Sequence, residues 1–235
     1  AFEAYEFFRF FQLLQNFCVA DLSNFYLDIA KDRLYVSAPN DKRRRSCQTV
    51  MALIIERLAA AIAPVLCHMA EDIWQNIPYP TGTESVFLSG WPSVPEEWRD
   101  DSLQAPMREL RELRAAVNKV LEECRSKRKL GASLEAAVRI EARTPALKDA
   151  LHWLQSKGDQ EVDGLRDWLI VSQLQIGGEP WAELLASDDN ELAVIEVALS
   201  RGEKCERCWH YESDIGQHSD HPSLCGRCVS VLERR

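Results

Sequence analysis

From Phe2 to Asn76 apolar side chains return every three or four positions, as in Phe7, Phe10, Phe11 and Leu14, and again in Met51, Ile54, Ile55, Leu58, Ile62, Val65, Leu66, Met69 and Ile73. That spacing lines one face of a 3.6-residue helix, so several long amphipathic helices are expected. Asp21 and Ser23 are good N-cap types ahead of residues 24–35. Pro39 and Asn40 break the chain, and Asp41 can cap a helix that begins at Lys42, Arg43, Arg44 and Arg45. Basic side chains in a first helical turn oppose the macrodipole at a cost of about a few tenths of a kcal/mol, which a bound negative group would offset. Pro64 removes an intrahelical hydrogen bond and should kink the helix or start another.

Residues 77–105, with Pro78, Pro80, Gly82, Gly90, Pro92 and Pro95, read as an extended connection. The next helix, from about Pro106 to Lys129, places Leu110, Leu113, Val117, Val120 and Cys124 in one stripe, expected to pack on the earlier helices. The period then changes. Leu134, Ala136, Val138 and Ile140 alternate with Glu135, Ala137, Arg139 and Glu141, the pattern of a half-buried strand, so a new domain is expected near Gly131. Trp168–Ile176 and Leu192–Leu199 are further runs of strand length, and Pro145–Gln155 reads as a helix, which together predict a small α/β module. No internal repeat or low-complexity segment is visible.

At 235 residues the chain is long enough for more than one core, and 46% hydrophobic with 28% charged residues is an ordinary globular composition. No apolar run approaches the roughly 20 residues needed to cross a bilayer, and the first residues carry acids where a signal peptide has a basic start. A cytoplasmic location without membrane association is the default expectation, and no oligomer is implied. Because the chain opens at Ala1 in helix-like sequence, it is expected to be a piece of a longer protein. The net charge of −9 argues against indiscriminate coating of nucleic acid, so any such site must be local. Two basic stretches could supply one, at Lys42–Arg45 and at Arg125, Lys127, Arg128 and Lys129, although a solvated helix end would look the same.

Cysteine spacing carries the sharpest chemistry. Cys18, Cys47, Cys67 and Cys124 are scattered over helical segments and read as small hydrophobes. Cys205, Cys208, Cys225 and Cys228 form two C-x2-C pairs with sixteen residues between them, the spacing of a four-thiolate zinc site. Two residues between cysteines let a tight knuckle turn both sulfurs to one point, with Gly226 relaxing the second. Four protein sulfurs leave no open coordination position, so one structural Zn2+ is expected, and no catalytic one. Its net charge near −2 would be offset by Lys204, Arg207 and Arg227. A redox pair or disulfides would be the alternative, disfavoured in a cytosolic setting. His210, His218 and His221 lie between the knuckles and read as surface or packing residues. Arg207 and Trp209 flank Cys208, offering a guanidinium and an indole to an unstacked RNA base, unless Trp209 packs beneath the finger as its core.

Several segments together resemble the C-terminal part of bacterial isoleucyl-tRNA synthetases. They are residues 21–35 (DLSNFYLDIAKDRLY), the basic helix 43–74, SVFLSGWP at 85–92, KRKLGASLEAAVRI at 127–140, and GEKCERCWHY with LCGRCV around the cysteines. Residues 142–200 match least. The resemblance implies a mainly α chain: a helical anticodon-binding bundle over 1–130, a small α/β junction module over 131–200 and a zinc-binding domain over 201–235. It further implies a parent enzyme that activates isoleucine with ATP and transfers it to its tRNA, with isoleucine-specific tRNA as partner. ATP would belong to a catalytic part outside these residues, since the His-Ile-Gly-His and Lys-Met-Ser-Lys-Ser signatures are absent here, and no catalytic residue is assigned. Implied tRNA contacts are Lys42, Arg43, Arg44 and Arg45 on backbone phosphates and Arg207 and Trp209 on loop bases, with Lys31, Arg33, Lys127 and Arg128 secondary. The rival readings are a sibling synthetase for valine, leucine or methionine, a DNA repair glycosylase ending in a similar finger, and a metal-stabilised interaction module.

Overall fold

In the computed structural model, residues 1–157 and 164–233 are described; within the expected 131–200 and 201–235 segments, positions 158–163 and 234–235 lie outside them. Helix α1 (Phe7–Asn16) runs without a break through a π-helical stretch, Phe17–Leu27, into α2 (Asp28–Tyr35). Asp21 and Ser23 therefore do not cap a helix start. Capping needs a chain that has left the helical region, and no Pro or Gly precedes them to force that. Asp21 instead pairs with Arg111, 2.5 Å away.

Asp41 does cap α3 (Lys42–Ile62), accepting from the backbone N–H groups of Arg43 at 2.9 Å and Arg44 at 3.2 Å. The helix stops just ahead of Pro64 and α4 (Cys67–Gln75) follows, so the proline separates two helices. Ala59, Ala60, Ile62, Ala63, Ala70 and Trp74 of this pair bury together with Val86 of the connection. That connection carries three short 3-10 turns, Val86–Leu88, Glu96–Trp98 and Asp101–Leu103, and is pinned back on α4. Glu71 accepts from Ser85 Oγ at 2.9 Å and Val86 N at 3.0 Å, while Trp74 Nε1 donates to Thr83 O.

Helix α5 (Gln104–Ser126) buries its expected stripe, but against a different partner. Leu110, Leu113, Val117, Val120, Leu121 and Cys124 share one core with the following sheet, to which the earlier helices add Ile29 and the edge of Phe25. An apolar stripe dictates that a face be covered and is silent about what covers it. The covering surface is built by β1 (Ala136–Ala142), α6 (Pro145–Ser156), α7 (Leu165–Leu169), β2 (Gln173–Ile176), β3 (Ala186–Asp189) and β4 (Ala193–Leu199). The sheet order is β2-β1-β4-β3. β1 and β2 are parallel, and β4 lies antiparallel to both β1, from Ala136↔Leu199 to Ala142↔Ala193, and β3.

β1 is covered on both faces, more than its alternation predicts. Val138 and Ile140 face the helices, while Arg139 is buried on the other side, pairing with Glu196 at 3.3 Å and donating to the carbonyls of Gly177 and Gly178. The apolar run expected as one strand from Trp168 is split. Trp168 and Leu169 end α7, and Ile170 takes a left-handed conformation (φ 55°), costing a β-branched residue about 1–3 kcal/mol, before pairing starts at Gln173. A two-stranded hairpin, β5 (Glu203–Lys204) with β6 (Tyr211–Glu212), and a final helix, α8 (Gly226–Glu233), complete the chain.

Candidate metal centre and nucleic-acid interface

The hairpin β5–β6 presents Cys205 and Cys208, and the start of α8 presents Cys225 and Cys228. All four are buried and their sulfurs lie within 4.8 Å of one another. A tetrahedron with Zn–S bonds of about 2.3 Å has edges of about 3.8 Å. Cys208 and Cys225 sulfurs stand 3.7 Å apart, close to that edge. The donor chemistry fits a cation as well. Hydrogen bonds with Cys225 and Cys228 hold the Cys208 thiol far below its usual range, while the same bonding pushes Cys225 up to about 11 and Cys228 higher still. Thiols so crowded cannot all ionise unless a positive ion shares their charge. The backbone N–H of Cys225 also donates toward Cys205 Sγ at 3.4 Å, and Arg207 Nη1 toward Cys228 Sγ at 3.6 Å.

Gly226 matters here for clearance. A Cβ on it would come within 2.9 Å of Asp214 Oδ2, which accepts its N–H at 2.7 Å. The left-handed residue of the knuckles is Trp209 (φ 68°), which is 60% exposed, with Lys204 Nζ 5.2 Å from the ring centroid. The indole thus stands out from the finger, whose own core is Val36 against the four cysteines, flanked by Ile215 and Leu224. His210 is buried and packs, while His218 sits 3.4 Å from Asp214. Of the scattered cysteines, Cys47 and Cys124 are buried, Cys18 is half-buried and Cys67 is exposed.

The two candidate RNA-binding groups meet at the end of α2. Arg207 Nη2 donates to Val36 O at 2.7 Å, and Arg44 Nη1 donates to the next carbonyl, Ser37 O, at 3.1 Å. Both guanidiniums are half-buried and at least partly taken up in holding these carbonyls. Lys42 and Arg45 are exposed in the first turn of α3, with Arg43 half-buried between them. Among the secondary candidates, Lys31 pairs with Asp28 at 3.0 Å, Lys127 pairs with Glu123, Arg33 lies on α2, and Arg128 (φ 55°) follows α5.

Sequence reasoning missed Asp32 and Tyr35. The Asp32 carboxylate accepts both terminal nitrogens of Arg227, at 2.7 and 2.8 Å, across 195 positions of sequence. Tyr35 lines a cleft of about 440 Å³ with Lys31, Asp32, Ile170 and Trp209. Neither residue has a sequence signal; the expected finger placed near α2 would have been needed to find them.

Residues 1–140 match the family model described as the anticodon-binding domain of tRNA ligase. The chain belongs to that family. Residues 202–231 match a second model, a zinc finger found in FPG and IleRS, so the chain carries this structural zinc finger. Over all 235 residues it is 94% identical to an isoleucine–tRNA ligase of Synechococcus sp. (strain CC9311), 73% to one of Prochlorococcus marinus (strain MIT 9313) and 74% to one of Parasynechococcus marenigrum (strain WH8102). It spans 24% of the length of each, about a quarter. The anticodon-binding match lies outside the finger, and the three relatives matched over the whole chain are all isoleucine–tRNA ligases. Among the described residues no helix is long and apolar enough to cross a membrane.

Proposed function

We propose that this chain is the anticodon-recognising part of an isoleucine–tRNA ligase, acting in the cytoplasm on isoleucine-specific tRNA. The rest of the enzyme would use ATP to activate isoleucine and join it to the tRNA. The observation that carries this reading is the meeting of the family's helical part with the finger at Val36 and Ser37, where Arg207 and Arg44 hold consecutive carbonyls. In this reading 1–130 acts as the bundle, 131–200 as the junction and 201–235 as the finger, although α5 of the first shares its core with the second.

The residues divide the work by chemistry. Lys42, Arg43 and Arg45, with whatever hydrogen-bonding capacity Arg44 keeps, attract backbone phosphates at the start of α3; such contacts position RNA without reading its sequence. Trp209 offers an exposed ring on which an unstacked anticodon-loop base can lie, and base edges supply specificity. Arg207 contributes by holding the finger. Cys205, Cys208, Cys225 and Cys228 would hold Zn2+, which when bound supplies a rigid crosslink between the two knuckles.

The test is a titration of the zinc-loaded chain with isoleucine-specific and valine-specific tRNA transcripts at one near-physiological salt concentration. Preference for the isoleucine tRNA is expected. Equal, salt-sensitive binding to both would reduce the chain to backbone affinity and overturn the recognition reading.

A further inference from the structure

The finger brings little apolar surface to its seat on α2. Among the described residues Val36, just past the end of α2, is the only buried side chain from outside the finger in its core, so its orientation depends on directional contacts. Two of these lie one helical turn apart. At Asp32 the guanidinium of Arg227 docks with both terminal nitrogens, and at Val36 that of Arg207 reaches the backbone carbonyl. A two-pronged guanidinium–carboxylate pair fixes angle as well as distance, and a second attachment about 6 Å along the helix stops the finger from pivoting about the first. The hairpin that carries Trp209 is tied at its far strand to the α/β module, where Tyr211 N donates to Ser172 Oγ at 2.7 Å and Glu212 pairs with Arg166 at 3.1 Å. Arg227 and Arg207 each neighbour a zinc-binding cysteine, so loss of the clamp would let the finger tilt about that tie and swing the metal-held turn that carries Trp209. The cleft beside that turn is lined by clamp residues themselves, Asp32, Val36 and Arg207, together with Tyr35 and Trp209.

We propose that Asp32 and Arg227 are positioning residues, which with Arg207 lock the finger on the end of α2 and thereby set where Trp209 stands for an anticodon-loop base. They touch no RNA; their effect passes through Trp209. This inference rests on the proposed function, and a measurement without RNA separates the two.

The experiment compares four zinc-loaded versions of the 235-residue chain: unaltered, Asp32→Ala, Trp209→Ala and the double variant, each titrated with an isoleucine tRNA transcript at one salt concentration. Asp32 is no metal ligand, so zinc should stay at one ion per chain in all four. Trp209→Ala is expected to weaken binding about 5- to 150-fold, the contribution of one stacked base. Asp32→Ala is expected to weaken it roughly fivefold in the unaltered chain and less than about twofold once Trp209 is gone, because positioning acts only through the residue positioned. A fifth version, Asp32→Glu, should retain most of the affinity. Equal fold-losses in both backgrounds, or no loss from Asp32→Ala, would overturn the proposal.

Independently, chains made with 5-fluorotryptophan give a fluorine resonance for each of the seven tryptophans, with that of Trp209 identified by Trp209→Phe. Asp32→Ala should shift or broaden the Trp209 signal and leave those of the α4 and connection tryptophans in place; an unchanged Trp209 signal would overturn the clamp. If the unaltered chain bound no tRNA but this signal responded, the proposed function would fail and the clamp would stand.

Discussion

Arg114 offers a sharp test of how the helical part is joined to the sheet. Its side chain is 10% exposed, and one guanidinium serves three partners: Nε donates to Trp168 O at 2.8 Å, Nη1 to Asn24 O at 3.1 Å, and Nη2 to Asp28 Oδ2 at 2.9 Å. It therefore ties α5 to the π-helical stretch, to α2 and to α7 at once. Arg114→Met keeps much of the volume and removes all three donors. Hydrogen bonds from a charged group contribute about 1.5–3 kcal/mol each when buried. Only the bond to Trp168 is fully buried, and Asp28 keeps Lys31 and water, so the three together are worth about 3–4 kcal/mol rather than their full sum. For a chain of 150–250 residues each kcal/mol moves Tm by about 2–4 °C, giving a drop of roughly 6–16 °C. The control is Arg111→Met. Arg111 and Arg114 both approach the Phe25 ring, but Arg111 and its partner Asp21 are 44% and 37% exposed, which limits that pair to about 0–1 kcal/mol. Urea and thermal unfolding followed by circular dichroism measure both variants. If Arg114→Met cost no more than Arg111→Met, the three-way tie would not be what joins these elements.

Two further outcomes are expected. Chelating zinc should open residues 201–233 to protease while helical circular dichroism largely remains, because the finger's apolar core is small and metal binding supplies its folding free energy; a finger that stayed resistant after the metal was gone would refute a structural zinc. Hydrogen bonds from Gln75, Ser85 and the Val86 N–H hold the Glu71 carboxyl below its usual 4.5, so its anchoring of the connection is fully present above that pH and is lost as pH falls through the lowered value. The Val86 amide shift should therefore titrate with a midpoint below about 4.5 and stop titrating in Glu71→Gln; a midpoint at or above 4.5 would contradict the hydrogen bonding.

What could be read ahead of the structure was local. The cysteine pairs were legible because metal geometry forces two sulfurs onto one tight turn, and Asp41 and Pro64 because capping and a missing N–H act within a few residues. The partner of α5 was not legible, since Leu110, Leu113 and Val117 would look the same packed on a helix or a sheet. Arg139 read as the polar side of a strand, and only the chain returning at Gly177 and Gly178 buries it. Arg207 beside Cys208 advertises an RNA contact, while its hydrogen bond to Val36 O, 171 residues away, has no local signal at all. Trp209 was readable as either core or platform, and its exposure depends on a left-handed backbone that its sequence neighbours do not announce.

The shared core of α5 and the sheet has a consequence for how such a chain can be rearranged. The matched family segment closes at residue 140, inside β1, whose pairing with β4 continues to Ala142↔Ala193. A crossover or truncation placed there would split a hydrogen-bonded ladder and strip the cover from Leu110, Leu113 and Val117, leaving a sticky stripe prone to aggregation. Excision or grafting would succeed only if α5 travelled with everything through β4, so the heritable building block is larger than the stretch the anticodon-binding family model spans.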